Sequence, residues 1–211
     1  MTEVPDRDVV SPPINFARLL LVVTGSSAAT SVPQLLDWVR TDYPTLRVKV
    51  IVTRSALGFV GRVALESRLG DDFYIDAWQS ERAPQHTELA HWSDVIIVYP
   101  ATLDYFMRFS AGIADTPSLV IAAARHGVVA LAPSLPPGAL ASDEVHEAWA
   151  RLAARDSVVL VPPILGERLW HGAKDRWVAA SLSDAFALVS RRRDQLDPPV
   201  PDDDDDGEDV R

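Results

Sequence analysis

The stretch RLLLVVTG, residues 18–25, decides the fold. Five consecutive apolar residues, 19–23, leave no position for a side chain that faces water, so both faces of the segment must be buried. Such a run is typical of a central strand in a parallel sheet. The small and polar residues that follow, beginning with Thr24 and Gly25, indicate a tight connection from this strand into a helix.

The rest of the chain repeats this alternation of buried strand and helix. Val32, Leu35, Leu36 and Val39 recur at the spacing of one helical face. The same patterns predict further strands at 48–53, 94–100, 128–133 and from 158, and helices at 85–94, 103–110, 143–155 and 183–193, whereas 117–125 fits either. Strands that alternate with helices imply right-handed crossovers. We therefore predict a single α/β domain, a doubly wound parallel sheet flanked by helices.

Composition sets the boundaries of this domain. The 211 residues suit a single globular core of ordinary size. We expect a flexible N-terminal arm at 1–16, the domain at 17–194 and a disordered acidic tail at 195–211. Seven acidic residues lie in the run 202–209, which accounts for much of the formal charge of -10. Such a run is typical of a tail that keeps the protein soluble, and the alternative is an acidic segment that binds a basic partner.

Several classes of function are disfavoured. The chain has no cysteine, which excludes disulfides, thiolate metal sites and a cysteine nucleophile. Its five histidines lack metal-binding spacing, so no metal is expected. The acidic balance without a basic stripe argues against nucleic acid, and the lack of an apolar run of about 20 residues argues against a membrane partner. With no pattern of a signal peptide at the N-terminus, we expect a cytoplasmic protein.

The segments directly after the strands are the candidates for function, because open parallel sheets bind ligands at the carboxyl ends of their strands. Small residues at Gly25, Ser26 and Ser27 let the backbone approach a phosphate. The stretch is neither the GxGxxG fingerprint nor a P-loop, and it suits a mononucleotide phosphate better. Hydroxyls at Thr53 and Ser55 follow the next strand and would converge on the same anion, although many such turns are small and polar without binding anything. The side chain of Phe59 would either face a flat ring of the ligand or pack in the core, and the sequence favours neither role.

Three further motifs resemble a known family. They are His86-x-Glu88-Leu89-x-x-Trp92-x-Asp94, then Pro100-Ala101-Thr102, then Gly112-Ile113-Ala114-Asp115. In this order, together with the loops above, they resemble the homo-oligomeric flavin-containing cysteine decarboxylases. That family includes phosphopantothenoylcysteine decarboxylase, the peptidyl-cysteine decarboxylases of lantibiotic-type peptide biosynthesis and, more distantly, flavin prenyltransferases. The resemblance covers 18–135 well and 136–190 loosely.

The resemblance implies a Rossmann-like fold, FMN near a subunit interface, and trimers that assemble into dodecamers. It places the FMN phosphate at Gly25, Ser26, Ser27, Thr53 and Ser55, the flavin ring against Pro100, Ala101 and Thr102, and Asp115 near the ribityl chain or the ring edge. His86 matches the family's active-site histidine and would take the proton of a substrate thiol. His91 and Arg125 are candidates for binding the substrate carboxylate.

Departures from the family's motifs narrow the class of substrate. Relatives often carry PxMNxxMW, whose asparagine contacts the substrate carboxylate. Here the segment begins Pro133-Ser134-Leu135 and has neither Asn nor Met, and the resemblance implies that these three residues lie at the substrate in its place. The reducing cysteine of the coenzyme A enzyme is also missing, and PATLDYF replaces the usual PASANT. We therefore predict oxidative decarboxylation of the C-terminal cysteine of a ribosomally made peptide, giving an aminoenethiol. A clamp at 163–178 would cover the peptide, with Trp170 and Trp177 as apolar contacts or as core residues.

Three alternatives stay open from the sequence. The first is an enzyme like phosphopantothenoylcysteine decarboxylase. The second is a flavin prenyltransferase, which would need a basic pocket for a prenyl phosphate. The third is a non-enzymatic FMN-binding regulatory subunit. The acidic tail and the loss of PxMN are both compatible with such a subunit.

Overall fold

A computed structural model describes residues 11–78, 85–167 and 174–197. Six parallel strands form one sheet in the order β3-β2-β1-β4-β5-β6. They are β1 Arg18–Val23, β2 Arg47–Val52, β3 Phe73–Ile75, β4 Val95–Thr102, β5 Val128–Ser134 and β6 Val158–Leu160. A separate antiparallel hairpin consists of β7 Ile164–Glu167 and β8 Lys174–Val178.

Seven α-helices lie in the described part of the chain. They are α1 Val32–Asp42, α2 Arg62–Leu69, α3 Gln85–Trp92, α4 Leu103–Ser110, α5 Pro117–Ala124, α6 Asp143–Ala153 and α7 Leu182–Leu196. Apolar side chains of α1, α2 and α7 pack on one face of the sheet, and those of α3, α4, α5 and α6 pack on the other. The predicted doubly wound α/β fold is confirmed.

Strand β1 shows why the opening stretch determines this architecture. Leu19, Leu21 and Val23 face the layer of α1 and α7, whereas Leu20 and Val22 face the opposite layer. All five side chains are almost completely buried. Burying a side chain of this size contributes about 1.5–3 kcal/mol, so a polar residue at any of these positions would oppose the fold.

The N-terminal boundary differs from the prediction. Residues 11–16 belong to the packed domain rather than to a free arm, since Phe16 is only 7% exposed and its ring lies 5.5 Å from that of Phe186. The hydroxyl of Tyr43 also donates to the carbonyl of Pro12 at 2.8 Å. At the other end, α7 continues to Leu196, two residues past the predicted end of the domain at 194. Residues 1–10 and 198–211 lie outside the described residues.

Other differences concern short elements. The ambiguous segment 117–125 is a helix, α5, which begins with Pro117 in its first turn, a favoured place for proline. Strand β3 and helix α2 were not predicted. The three residues of β3 are too few to show a period, and the predicted clamp contains the hairpin β7–β8.

The topology positions the site. The strand order reverses between β1 and β4, and the crevice beyond such a switch point is the usual ligand site of a doubly wound sheet. None of the helices in the described residues is long and apolar enough to cross a membrane.

Candidate functional site

Thr24, at the end of β1, connects the two strands that flank the switch point. Its side chain is buried, and its hydroxyl donates to the carbonyl of Pro100 at 2.6 Å and accepts from the amide of Thr102 at 2.9 Å. The predicted phosphate loop and the predicted ring-facing segment are therefore fixed to each other. Thr102 also caps α4 by accepting from the amide of Tyr105.

Gly25 brings the loops after β1 and β2 into contact. A Cβ at this position would lie 2.6 Å from both Cβ and Oγ of Ser55, closer than side-chain atoms can approach. Only glycine fits without moving the second loop. The hydroxyls of Thr53 and Ser55 lie 3.1 Å apart, so the predicted hydroxyl groups of this loop do lie together beside Gly25.

A third connection reaches β5. The hydroxyls of Ser26 and Ser134 lie 2.7 Å apart, and Thr102 and Ser134 are register partners at the ends of β4 and β5. Pro133 and Leu135 are buried, and the amide and the carbonyl of Leu135 both pair with Trp177 of β8. The segment 133–135 is therefore joined to the loop after β1 on one side and to the clamp hairpin on the other.

The remaining predicted ring contacts differ in exposure. Ala101 is fully buried beneath the carboxyl edge of the sheet, whereas the ring of Phe59 is 45% exposed and available to a flat ligand. Ser27 begins the short 3-10 helix Ser27–Ser31 that leads into α1, so a helical N-terminus follows the loop, and such an end favours a nearby anion.

Asp115 lies in a network after α4. Its carboxylate forms an ion pair with Arg108, whose other acidic partner is Asp104 at 3.4 Å. Its backbone carbonyl accepts from the indole nitrogen of Trp78 at 2.8 Å. Burial lowers the pKa of Arg108, and the two carboxylates raise it by more, so the guanidinium keeps its proton. Its positive charge is balanced by these two carboxylates.

His86 lies in the first turn of α3 and is half-buried. Because α3 precedes β4, its N-terminal end points toward the carboxyl edge of the sheet, where the loops above converge. The imidazole contacts Trp78, with ring centroids 5.4 Å apart and planes at 82°. Trp78 was missed by the sequence reasoning, because the strand that precedes it is only three residues long.

Two predicted carboxylate-binding residues lie elsewhere in the chain. His91 is near the C-terminal end of α3 and stacks on His126, with ring centroids 4.7 Å apart. Arg125 hydrogen-bonds to the carbonyl of Ala122 at 2.7 Å and to the hydroxyl of Ser157 at 2.6 Å. These residues directly precede β4, β5 or β6, so within one chain they lie at the amino edge of the sheet, opposite the converging loops.

Arg125 is also chemically unlike a free anion-binding group. Burial lowers its pKa, and the neighbouring Arg155 lowers it further. Its guanidinium lies over the ring of Phe109, at 5.9 Å from the centroid. We therefore assign Arg125 a packing role in this chain.

Of the two tryptophans of the predicted clamp, Trp170 lies outside the described residues, and Trp177 is partly buried against Leu135. Among the described residues, no group of three or more acidic or histidine side chains could hold a metal ion.

Comparison with known proteins relates this geometry to one family. A family model described as Flavoprotein matches residues 11–165. Cypemycin cysteine dehydrogenase (decarboxylating) from Streptomyces is 31% identical over 180 residues, which is 84% of this chain and 92% of that protein. The crystal structure of the cypemycin decarboxylase CypD superposes with a TM-score of 0.74 at 27% identity and covers 89% of this chain and 99% of that one. The FMN-dependent cysteine decarboxylase TvaF from thioviridamide biosynthesis gives a TM-score of 0.61 at 26% identity, covering 68% and 88%.

Proposed function

The chain belongs to the flavoprotein family, and from this membership we propose that it uses FMN to decarboxylate oxidatively the C-terminal cysteine of a peptide. The family assignment and the flavin cofactor predicted from the sequence are confirmed. The similarity to cysteine decarboxylases supports the coarser assignment, a flavin-dependent decarboxylase. The peptide substrate and the residue roles below belong to the proposal.

One observation supports the cofactor site: the side chains of Thr24, Ser26 and Ser55 bring the loops after β1 and β2 together with the ends of β4 and β5. The close approach at Gly25 places the backbone of the loop after β1 beside the hydroxyls of Thr53 and Ser55, and backbone amides with hydroxyls are groups that bind a phosphate. We propose that Gly25, Ser26 and Ser27 hold the phosphate of FMN together with Thr53 and Ser55.

The rest of the flavin would lie along the carboxyl edge of β4. Pro100, Ala101 and Thr102 form this edge and would face the ring, with Phe59 as an exposed aromatic neighbour. Asp115, held by Arg108, would lie near the ribityl chain or the ring edge. When bound, FMN supplies the two-electron oxidation that such a decarboxylation requires.

His86 is the residue that we propose as the base. An imidazole with a reference pKa of about 6.5 can accept the proton of a thiol with a reference pKa of about 8.5 once the two are in contact. The protein thus prepares the sulfur as a thiolate, while the converging loops hold the cofactor. With the two-electron oxidation that bound FMN would supply, loss of carbon dioxide would leave an enethiol at the peptide end.

Neither Arg108 nor Arg125 supports the prenyltransferase alternative, which needs a cation that is free to bind the prenyl phosphate. Arg108 is paired with Asp115 and Asp104, and Arg125 lies at the opposite edge of the sheet. The structure offers no separate support for the coenzyme A enzyme or for a regulatory subunit.

The test uses purified protein, FMN and pairs of peptides that differ only in a C-terminal Cys or Ser. Oxidative decarboxylation removes CO2 and two hydrogens, so the Cys peptide should lose about 46 Da and the Ser peptide nothing. His86→Asn should keep its flavin absorbance and lose turnover by at least about 100-fold. Turnover of the His86→Asn variant at the wild-type rate would overturn the role of His86, and an unchanged mass for every Cys peptide would overturn the substrate class.

A further inference from the structure

Trp78 is an exposed aromatic residue that core packing does not explain. It follows β3 and is 56% exposed, yet its indole ring is held at two points. The indole nitrogen donates to the carbonyl of Asp115 at 2.8 Å, and the ring meets the imidazole of His86 edge-to-face, with centroids 5.4 Å apart. A large ring fixed in this way, while mostly exposed to solvent, has its ordered contacts with the site rather than with the core.

The backbone that carries Trp78 is also fixed. Two residues earlier, the carboxylate of Asp76 accepts from the amide and from the hydroxyl of Ser118, each at 2.8 Å. The end of β3 is thereby joined to the start of α5. Arg108 holds Asp115 from the other side, through an ion pair. Trp78 therefore rests on a part of the molecule that hydrogen bonds join to two helices.

His86 lies in the first turn of the eight-residue helix α3 and is half-buried. Within the part of the chain that the structure describes, its ring has one aromatic neighbour, Trp78. An imidazole in the first turn of a helix can adopt several rotamers, and only some of them aim a nitrogen into the site. Edge-to-face aromatic contacts are strong enough to favour one orientation.

We propose that Trp78 is a positioning residue, which holds the imidazole of His86 in the orientation that accepts the substrate proton. The proposal rests on the function proposed for His86. It predicts that Trp78 acts on turnover rather than on cofactor binding, and that it acts only through His86. A ring at position 78 is the essential property, since the contact is made by the ring face or edge.

The first experiment compares Trp78→Leu with Trp78→Phe, each checked for unaltered FMN content and thermal unfolding midpoint. Trp78→Leu should lower kcat roughly tenfold with little change in the KM for the peptide, because a contact of this kind corresponds to about a tenfold bias. Trp78→Phe keeps a ring for the contact with His86 but loses the indole hydrogen bond to Asp115, so it should recover part of the turnover and remain clearly more active than Trp78→Leu. If Leu and Phe are equally active, or if KM rises while kcat is unchanged, the positioning role is wrong.

A second readout does not depend on activity. Diethyl pyrocarbonate labelling, quantified for each histidine by mass spectrometry, should proceed several-fold faster at His86 in Trp78→Leu than in the wild-type protein. Exposed His146 of α6 serves as the internal reference and should not change. An unchanged labelling rate at His86 overturns the inference even if no peptide substrate is found, whereas a wild-type protein that labels as expected but never decarboxylates a peptide overturns the proposed function alone.

Discussion

At the scale of single residues, the site depends on the absence of one carbon atom. Gly25 lets the loop after β1 touch Ser55 of the loop after β2, and any side chain there would meet both the side chain and the backbone of Ser55. Gly58, in the loop after β2, is unconstrained by comparison, since a Cβ there would meet nothing within 4 Å. The two glycines therefore form a matched pair for a test of the cofactor site.

Gly25→Ala should weaken FMN binding by at least about tenfold, because the loop after β2 must move by several tenths of an ångström and carries Thr53 and Ser55 with it. Titration of the apoprotein with FMN, followed by flavin fluorescence, gives the affinity. Gly58→Ala should bind FMN as the wild-type protein does. Equal affinities for the two variants would contradict a phosphate site at Gly25.

At the scale of secondary-structure elements, Asp94 fastens β1 to β4 at the edge opposite the site. Its carboxylate accepts from the amides of Ala17 and Arg18, at 3.0 and 2.9 Å, and from the guanidinium of Arg18. Burial raises the pKa of Asp94, but the hydrogen bonds from Arg18 and Ala17 lower it by more, so its pKa in the folded protein lies below the usual range.

A depressed carboxyl pKa stabilises the folded state at every pH above the unfolded pKa of about 4, and this contribution disappears as the pH falls through the folded pKa. Asp94→Asn should therefore lower the free energy of unfolding at pH 7, by about 2 kcal/mol from the weakened hydrogen bonds to the amides. The difference from the wild-type protein should narrow as the pH falls below about 4. Urea unfolding at a series of pH values measures this. Glu66→Gln, in an exposed ion pair with Arg62, should have little effect at any pH.

The clamp hairpin β7–β8 is anchored to the rest of the domain by apolar packing. The side chain of Trp177 on β8 packs into a small cluster with Leu135 and Val145, against which Leu103 and Met107 of α4 also lie. The cluster links the hairpin to the helix that follows the ring-facing segment.

Trp177→Ala should release the hairpin and raise the KM for a peptide substrate roughly tenfold, while FMN affinity stays the same, because about 1–3 kcal/mol of apolar contact is lost far from the phosphate loop. Steady-state kinetics and flavin titration measure the two quantities. Val63→Ala, on α2 and 76% exposed, is the control for an unspecific effect of removing an apolar side chain. An unchanged KM in Trp177→Ala would show that the clamp does not contribute to peptide binding.

The elements also show how far the sequence could be interpreted. The buried strands β1, β4 and β5 were predictable because they are apolar on both faces, which is a local property. Strand β3 was not, since the residues 73–75 are too short for a pattern. Missing β3 meant missing Trp78, whose hydrogen-bond partner Asp115 is 37 residues away in sequence.

The same strand order explains the two candidates that lie away from the loops. His91 and Arg125 precede β4 and β5, and residues that precede a parallel strand lie at its amino edge. Applying the carboxyl-edge rule to them, as it was applied to Gly25 and Thr53, would have separated them from the site. The contact of Ser26 with Ser134 could not be predicted from spacing, because it depends on how far β5 extends beyond its last apolar residue.

At the scale of the whole molecule, cofactor and fold should stabilise each other, because the proposed phosphate site is assembled from several elements and is lost on unfolding. FMN at 100 times its dissociation constant should add about 2.7 kcal/mol to the free energy of unfolding. For a chain of this size, this corresponds to a rise of about 5–10 °C in Tm.

Riboflavin, which lacks the phosphate, should stabilise the protein much less at the same concentration. Thermal unfolding followed by circular dichroism, with either flavin present, distinguishes the two. An equal rise with riboflavin and FMN would mean that the loops after β1 and β2 do not bind the phosphate. The predicted trimer and dodecamer stay predictions, which light scattering on the purified protein would measure.

The pairing of Leu135 with Trp177 limits how a peptide can be recognised. The amide and the carbonyl of Leu135 are both used by β8, at 2.7 and 3.3 Å, so this residue has no main-chain group left for an incoming strand. An extended peptide therefore cannot add a strand at Leu135, whereas the edge of β7 that faces away from β8 presents the apolar side chains of Ile164 and Leu165 to solvent. The hairpin thus removes one backbone edge next to the converging loops from recognition by strand addition.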